Sequence, residues 1–247
     1  MARSPQASQL TTVYTRQNNS LRARAVADVV RLWPALNPED LAGSWGALQA
    51  ALETLVLSGR QDAAALAGSY LTAFRALEGV SGSPIIVSGA KTALDAVTTS
   101  LRVTGPVTIM RAVALGQTPT QAARTGLLSV AGSVSRLILG GGRDTIHNSI
   151  AADKKALGYA RVASGGACAF CAMVASRGPV YKSQSTARGG DDGYHDHCNC
   201  GIEPVYHRDS PWPANSRKYE QLWADSTAGL SGADARSAFR KALAESQ

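Results

Sequence analysis

The sequence predicts a mainly helical α+β protein, with an N-terminal helical bundle, a small loop-rich module and C-terminal helices. Three observations predict this class. Apolar residues recur at helical spacing through most of the first 140 positions. Aromatic residues make up only 6% of the chain while Leu, Val and Ala are abundant, which favours close-packed helices over a β-sandwich. All four cysteines fall between Cys168 and Cys200, in a stretch rich in glycine and small residues.

The first predicted region, residues 1–80, is a set of helices. Its first 20 residues are polar and unpatterned, so they form either a flexible arm or a frayed helix. Helical spacing begins at Leu21 and stops at Pro34. In "NPED", Asn37 is the predicted N-cap and Pro38 the first helical residue. One face of the helix that follows carries Leu41, Trp45, Leu48, Leu52 and Leu55.

The second region, residues 90–158, is predicted to be helical and basic. It follows a Gly, Ser and Pro segment, "VSGSPIIVSG", which is a candidate linker. In "TPTQ", Thr118 and Gln121 form a predicted capping box. The glycines of "LGGGRD" are predicted to end that helix, and Asp144 to cap another that runs through Lys155.

Two regions complete the chain. Residues 159–207 contain glycines, all the cysteines and short β-like pieces such as "GPVYKS" and "GIEPVY", which predict a small module. Residues 208–247 begin with a linker, "DSPWPANS". Tyr219, Leu222 and Trp223 then indicate one helix, and Ser231 with Asp234 a final one.

Positive charge is concentrated in one part of the chain, whose net charge is +7. No Asp or Glu occurs from Val97 to Arg143. A basic stretch of this kind favours nucleic-acid phosphates or an acidic partner as neighbours. The alternative is a solvated helix face, and no nucleic-acid-reading motif accompanies the stretch. The candidate contact residues are Arg102, Arg111, Arg124, Arg136 and Arg143.

The N-terminus lacks the pattern of a signal peptide, and no apolar run reaches the roughly 18 residues of a membrane span. These observations predict a soluble intracellular protein without a membrane partner. Reduced cysteines are then expected, which counts against disulfide bonds.

The cysteine and histidine pattern predicts a structural zinc site. In "CAFC", a tight turn lets the thiolates of Cys168 and Cys171 converge on one tetrahedral ion. The downstream "YHDHCNCG" offers more donors than the two remaining places need, so the second half of the site stays open. A small module with little core needs such a staple. The candidate ligands are Cys168, Cys171, His195, Cys198 and Cys200, with His197 the weakest candidate.

Other chemistries fit the pattern less well. A redox Cys-x2-Cys pair belongs at a strand-to-helix junction within a longer βαβ pattern, which the sequence lacks. A cysteine nucleophile is disfavoured because clustered cysteines act as ligands. A zinc deaminase would need H-x-E and P-C-x-x-C, which are absent. If four protein groups bind the ion, no position remains for water and the site is structural.

Two segments resemble the MuF-like minor head proteins of tailed bacteriophages. The closing signature of that family reads roughly His-Pro-Asn-Cys-Arg-Cys followed by a Pro-Val segment. In "YHDHCNCGIEPVY" the matching residues are His195, Cys198, Cys200, Pro204 and Val205, whereas Asp196, His197 and Asn199 differ from the commonest letters. The upstream "ACAFCAMVASRGPVYKS" is similar to the version found in actinobacteriophage head proteins.

This resemblance covers residues 159–207 and implies a structural role in head morphogenesis. It implies a protein that joins the procapsid near the portal vertex and contacts the portal, major capsid or scaffold protein. The implied location is the virion, in the capsid interior or at the portal, after assembly in the host cytoplasm, with packaged DNA within reach.

Some members of the family are described as capsid maturation proteases, which gives a rival interpretation. No catalytic residues can be assigned, because Ser183, Ser185, His195 and Asp196 are only close in sequence. A non-sequence-specific nucleic-acid-binding module is a third interpretation, and it rests on the arginine-rich stretch.

Overall fold

A computed structural model describes residues 5–163, 166–181, 194–213 and 215–246. The mainly helical α+β class predicted from the sequence is confirmed. The elements, in chain order, are α1 (Pro5–Leu32), a 3₁₀ turn (Trp33–Ala35), α2 (Leu41–Leu77), α3 (Leu94–Arg102), a π turn (Val103–Val107), α4 (Thr108–Ala114), α5 (Pro119–Ala152), β1 (Gly158–Val162), α6 (Ala169–Ala175), β2 (Gly201–Val205), α7 (Ser216–Thr227) and α8 (Gly232–Glu245). The described N-terminal segment is helical from Pro5 onwards, so the helical alternative for the first 20 residues holds there.

The largest core lies where α1, α2 and α5 pack together, with α3 and α4 closing one side. Its fully buried side chains include Val29 of α1, Leu52 of α2 and Val130 of α5. Residues from both predicted regions before Gly158 contribute to this single cluster, while the four domain boundaries themselves stay predictions. None of the helices in the described ranges combines the length and apolar character that a membrane span needs.

The helix break predicted at "LGGGRD" is wrong, because α5 runs through this sequence without interruption and is 34 residues long in total. The glycines allow the backbone of α5 to approach that of α2 closely. A β-carbon on Gly141 would lie 2.3 Å from the carbonyl oxygen of Arg60, and one on Gly142 would lie 2.9 Å from that of Ala63. Only glycine allows the two backbones to come this close. Asp144 therefore lies within the helix and does not cap a new one.

Two predicted N-caps have different outcomes. The capping box at Thr118 is confirmed, with the Thr118 hydroxyl and the Gln121 side chain each accepting the other's backbone N–H. Asn37 is not the cap of α2. Asp40 caps the helix by accepting the backbone N–H of Gly43, and the Asn37 side chain accepts the N–H of Glu39 in the preceding turn. Asp and Asn are about equally good caps, and here the one nearer the apolar stripe is used.

The predicted linker around residues 80–89 is confirmed as non-helical. It lies against α2 and α5 and is held there by Arg60, which is 4% exposed. The guanidinium of Arg60 donates to the carbonyls of Gly89 and Leu137 and pairs with Asp144. Since a buried guanidinium needs such partners, this interaction ties the segment to α2 and α5 together.

The module after α5 is built on a two-stranded antiparallel sheet. β1 pairs with β2 in a register that sets Gly158 opposite Val205 and Val162 opposite Gly201. Tyr159 of β1 also bridges Tyr181. The sheet packs on α1, α2 and α5 through a second core cluster that contains Tyr70 and Ile146. β2 was predicted as a β-like piece, whereas β1 was not recognised as a strand.

The C-terminal helices close the far side of the module. α7 and α8 begin at Ser216 and Gly232, as predicted from their apolar residues and from Ser231. Phe239 and Leu243 of α8 join Cys171, Cys198 and Cys200 in a third buried cluster. The cysteines therefore lie between the sheet, α6 and the last helices.

Candidate metal centre

The "CAFC" pair sits on the first turn of α6. Cys168 is the N-cap of this helix, and its sulfur accepts the backbone N–H of Cys171 at 3.4 Å. The backbone of Cys168 is extended and that of Ala169 and the following residues is helical, so α6 starts at Ala169. The turn brings the two sulfurs to one point, as the sequence predicts for a metal-binding pair.

The second half of the cluster comes from the turn before β2. Cys198 N–H donates to the His195 carbonyl at 3.1 Å, and His197 has a positive φ of 65°, so the chain reverses there. The turn sets the Cys198 sulfur 3.4 Å from that of Cys171. The sulfurs of Cys171, Cys198 and Cys200 all lie within 4.8 Å of one another, and all three residues are buried.

His195 joins the cluster from the solvent side. Its Nε2 lies 2.8 Å from the Cys168 sulfur, and its Nδ1 lies 2.6 Å from the Asp196 carbonyl oxygen. Because a carbonyl only accepts, Nδ1 carries a proton and donates it, so Nε2 is the ring nitrogen that faces the sulfurs. This arrangement is the one that fixes the tautomer of metal-binding histidines. Cys168, Cys171 and His195 form a second group within 4.8 Å, so Cys171 is common to both groups.

His197 is directed elsewhere. Its ring packs on α5 at Gly132, where a β-carbon would lie 2.4 Å from the His197 Nε2. Neither group of candidate donors includes it. The geometry therefore separates the two histidines of "YHDH", although they share a sequence pattern.

The sulfurs perturb one another's protonation. Hydrogen bonding from Cys171 lowers the pKa of Cys168 to about 5, and hydrogen bonds from Cys171 and Cys200 hold the pKa of Cys198 well below its usual range. Hydrogen bonds to Cys168, Cys198 and Cys200, together with burial, raise the pKa of Cys171. Although a hydrogen bond with Cys171 lowers it, hydrogen bonding with Cys198 and burial raise the pKa of Cys200 to about 12. The lowered pKa values favour the thiolate form of Cys168 and Cys198, and thiolates are the form that binds metal.

Two arginines stack on a tyrosine next to the cluster, an arrangement that the sequence does not predict. The ring of Tyr194 is sandwiched between the guanidinium carbons of Arg143 and Arg161, at 3.9 and 3.8 Å from its centroid. Arg143 donates to the carbonyls of Cys198 and Cys200 at 2.8 and 3.0 Å. Besides the hydrogen bonds between the sulfurs, the positive charge of Arg143 lowers the pKa of Cys198, so these buried cations offset negative charge on the sulfurs.

The donor set fits a structural metal ion. Five sulfur and imidazole donors lie in two overlapping groups that share Cys171, and four donors suffice for tetrahedral Zn²⁺. At a metal–sulfur distance of about 2.3 Å, the edge of a sulfur tetrahedron is about 3.8 Å. The 3.4 Å between Cys171 and Cys198 needs only a small expansion to reach it.

The residues considered for proteolysis do not form a catalytic array in the described part of the chain. His195 faces Cys168 and the Asp196 backbone, while the Asp196 carboxylate pairs with Arg136 at 2.7 Å. Ser183 and Ser185 lie outside the described residues.

The five arginines of the acid-free stretch divide into two groups. Arg102, Arg111 and Arg124 are exposed. Arg136 is partly buried in its ion pair with Asp196, and Arg143 is 5% exposed. Arg143 is directed inward, where its guanidinium donates to the carbonyls of Cys198 and Cys200.

Comparison with known proteins gives one match. A family model described as "VG15 protein" matches residues 5–226, which includes the helical bundle, the module and most of α7. No curated protein and no solved structure matches the chain.

Proposed function

Because the chain belongs to the VG15 protein family, a family of viral gene products, we propose that it is a minor head protein of a tailed bacteriophage. The membership itself indicates a phage protein with a structural or virion-related role. The finer assignment joins it to the MuF-like head proteins, whose signature His195, Cys198 and Cys200 match. In this proposal a few copies enter the procapsid near the portal and contact the portal, scaffold or major capsid protein.

The observation that carries the proposal is the extent of the family match. It runs through residues 5–226 and so takes in both the bundle and the Cys/His module that packs on it. A protein whose helical bundle and Cys/His module share a buried core cluster suits a permanent structural component. Its role is then in head assembly and in the packaging or ejection of DNA.

Quantitative mass spectrometry of purified procapsids and virions tests the proposal. We expect the chain in low copy relative to the major capsid protein, and its absence from every assembly stage would overturn the assignment. Co-expression with capsid and scaffold proteins distinguishes the structural role from the rival hypothesis, a capsid maturation protease. Specific cleavage that disappears when a single side chain of this protein is changed would replace the structural role with an enzymatic one.

We also propose that the metal is Zn²⁺, bound by Cys168 and Cys171 with two of His195, Cys198 and Cys200. The support is the sulfur-rich donor set, the low pKa values of Cys168 and Cys198 and the burial of three of the cysteines. With four protein ligands the site has no open position, so the ion stabilises the module without taking part in a reaction.

Elemental analysis of protein purified without chelator measures this directly. We expect about one zinc per chain for the unchanged protein. Cys168→Ser should lose the metal and expose residues 159–207 to protease while α1 and α2 stay resistant, because metal binding and folding of the module are coupled. His197→Asn is the matched control, since Asn tolerates the positive φ at that position and the ring lies outside the cluster. A metal content near zero, with four titratable thiols in a folded module, would refute the site.

A further inference from the structure

The helical segment from Leu94 to Ala114 has one buried and one exposed apolar face. Val97, Leu101 and Ile109 are fully buried against the bundle. On the opposite side, apolar side chains recur at steps of three and four residues, the spacing of a single helix face. The exposed fractions are 49% for Val103, 41% for Val107, 55% for Met110 and 42% for Val113. We call these four residues the Met110 face.

The Met110 face is held rigidly in place. Ile109 packs into the space left by Gly126, where a β-carbon would lie 2.5 Å away, and Trp45 fills the equivalent space at Gly105. Pro106 is accommodated by the π turn, and the Thr108 hydroxyl donates to the Val103 carbonyl at 2.9 Å. A face with this support is preorganised for a partner, so binding costs little ordering.

In the helical segment that carries the Met110 face, the exposed charged residues beyond Asp95 are basic. Arg102 and Arg111 are exposed and adjoin Val103 and Met110 in the chain. Arg124 is exposed on α5, which packs against α4. The nearest acidic residues in the sequence are Asp95 and Asp144, at either end of the stretch.

We propose that the Met110 face docks an amphipathic helix of another head protein, one with an apolar stripe flanked by Asp and Glu. The inference rests on the proposed function, because it takes the partner from the phage head. A second copy of this chain would bring like charges together across the contact, which is unfavourable. Duplex DNA would satisfy the arginines but would press four apolar side chains against phosphates, with no hydrogen bonds in return. An acidic helix matches both the exposed apolar side chains and the exposed arginines beside them.

Photo-crosslinking in assembled heads tests the docking. The full chain carries p-benzoylphenylalanine in place of Met110, or in place of Val30 as a control, since Val30 is 50% exposed on α1. After irradiation, mass spectrometry identifies the crosslinked peptides. We expect position 110 to crosslink to one acidic helical segment of another head protein, at least tenfold more than position 30.

Every other outcome overturns the inference. Crosslinks from position 110 to DNA alone, to another copy of this chain, or no more than from position 30 would each refute the acidic partner while leaving the head assignment intact. If the chain is absent from heads, the proposed function fails and the inference fails with it.

Charge exchange gives an independent readout. Arg111→Glu should reduce incorporation into heads at least tenfold, and Glu→Lys within the crosslinked partner segment should restore it. Arg24→Glu, on the exposed side of α1, is the matched control and should incorporate normally. Equal incorporation of both variants, or loss without rescue, would contradict a charge-matched interface.

Discussion

Gly141→Ala tests the close approach of α2 and α5 on which the bundle depends. Alanine is the better helix former, so a local argument predicts a gain of about 1 kcal/mol in the free energy of unfolding. The structure predicts the opposite sign. The added β-carbon would lie 2.3 Å from the Arg60 carbonyl oxygen and 2.9 Å from its Cα, whereas ordinary contacts begin at about 3.4 Å. Both atoms belong to the backbone, so only a shift of one helix relieves the overlap.

The net effect follows from the two opposing contributions. Overpacking of this kind costs about 1–3 kcal/mol, and contact with a rigid backbone places this substitution at the upper end. After the gain in helix propensity is subtracted, we expect a loss of about 2 kcal/mol. For a chain of this size, 1 kcal/mol corresponds to about 2–4 °C, so the Tm should fall by about 4–8 °C in a calorimetric or circular-dichroism scan.

Gly46→Ala is the matched control on α2. A β-carbon at Gly46 meets nothing within 4 Å, so only the propensity gain applies and the Tm should rise by about 2–4 °C. The two glycine substitutions should therefore shift the Tm in opposite directions. A rise for Gly141→Ala as large as that for Gly46→Ala would mean that α5 does not approach α2 as described.

Three further predictions concern single interactions. Arg75→Met leaves the buried carboxylate of Asp153 without its counter-charge and should lower the free energy of unfolding by about 3–5 kcal/mol in urea titration; a loss below 1 kcal/mol would contradict the pair. Thr118→Ala removes the capping box of α5 and should cost about 1 kcal/mol by the same method, with an unchanged value counting against the cap. Arg143→Met withdraws the donors that hold the carbonyls of Cys198 and Cys200, so competition with a chelator should reveal metal affinity about 10–100-fold weaker; unaltered affinity would show that Arg143 does not support the site.

Local signals in the sequence predicted the parts of the fold that depend on neighbours along the chain. Three or four consecutive residues suffice to predict the capping box at Thr118 and the start of α8 after Ser231. The glycines around Gly141 were misinterpreted for a physical reason. Each glycine weakens a helix locally, while its benefit arises only when Arg60, some eighty positions away, comes to lie against it.

The candidate site shows the same division. Cys168, Cys171, Cys198 and Cys200 could be grouped from spacing alone, because thiol pairs on turns converge whatever surrounds them. His195 and His197 point in different directions in a turn where His197 has a positive φ, and no local sequence pattern predicts that φ. The proximity of Arg143 and Arg161 to the cysteines could not be predicted from the sequence, since it arises from the packing of α5 and β1 against the turn before β2.

The order of the three core clusters along the chain has a consequence for synthesis on the ribosome. The first cluster is complete once Leu139 has been made, whereas the third requires residues up to Leu243. At about 5–20 residues per second, several seconds separate these two points. The bundle can therefore fold while the cysteines are still being synthesised. The nascent chain then carries unpaired thiols next to a folded bundle. If the proposed zinc site forms, uptake of the ion and packing of α7 and α8 against the cysteines come last in folding, after the bundle is in place.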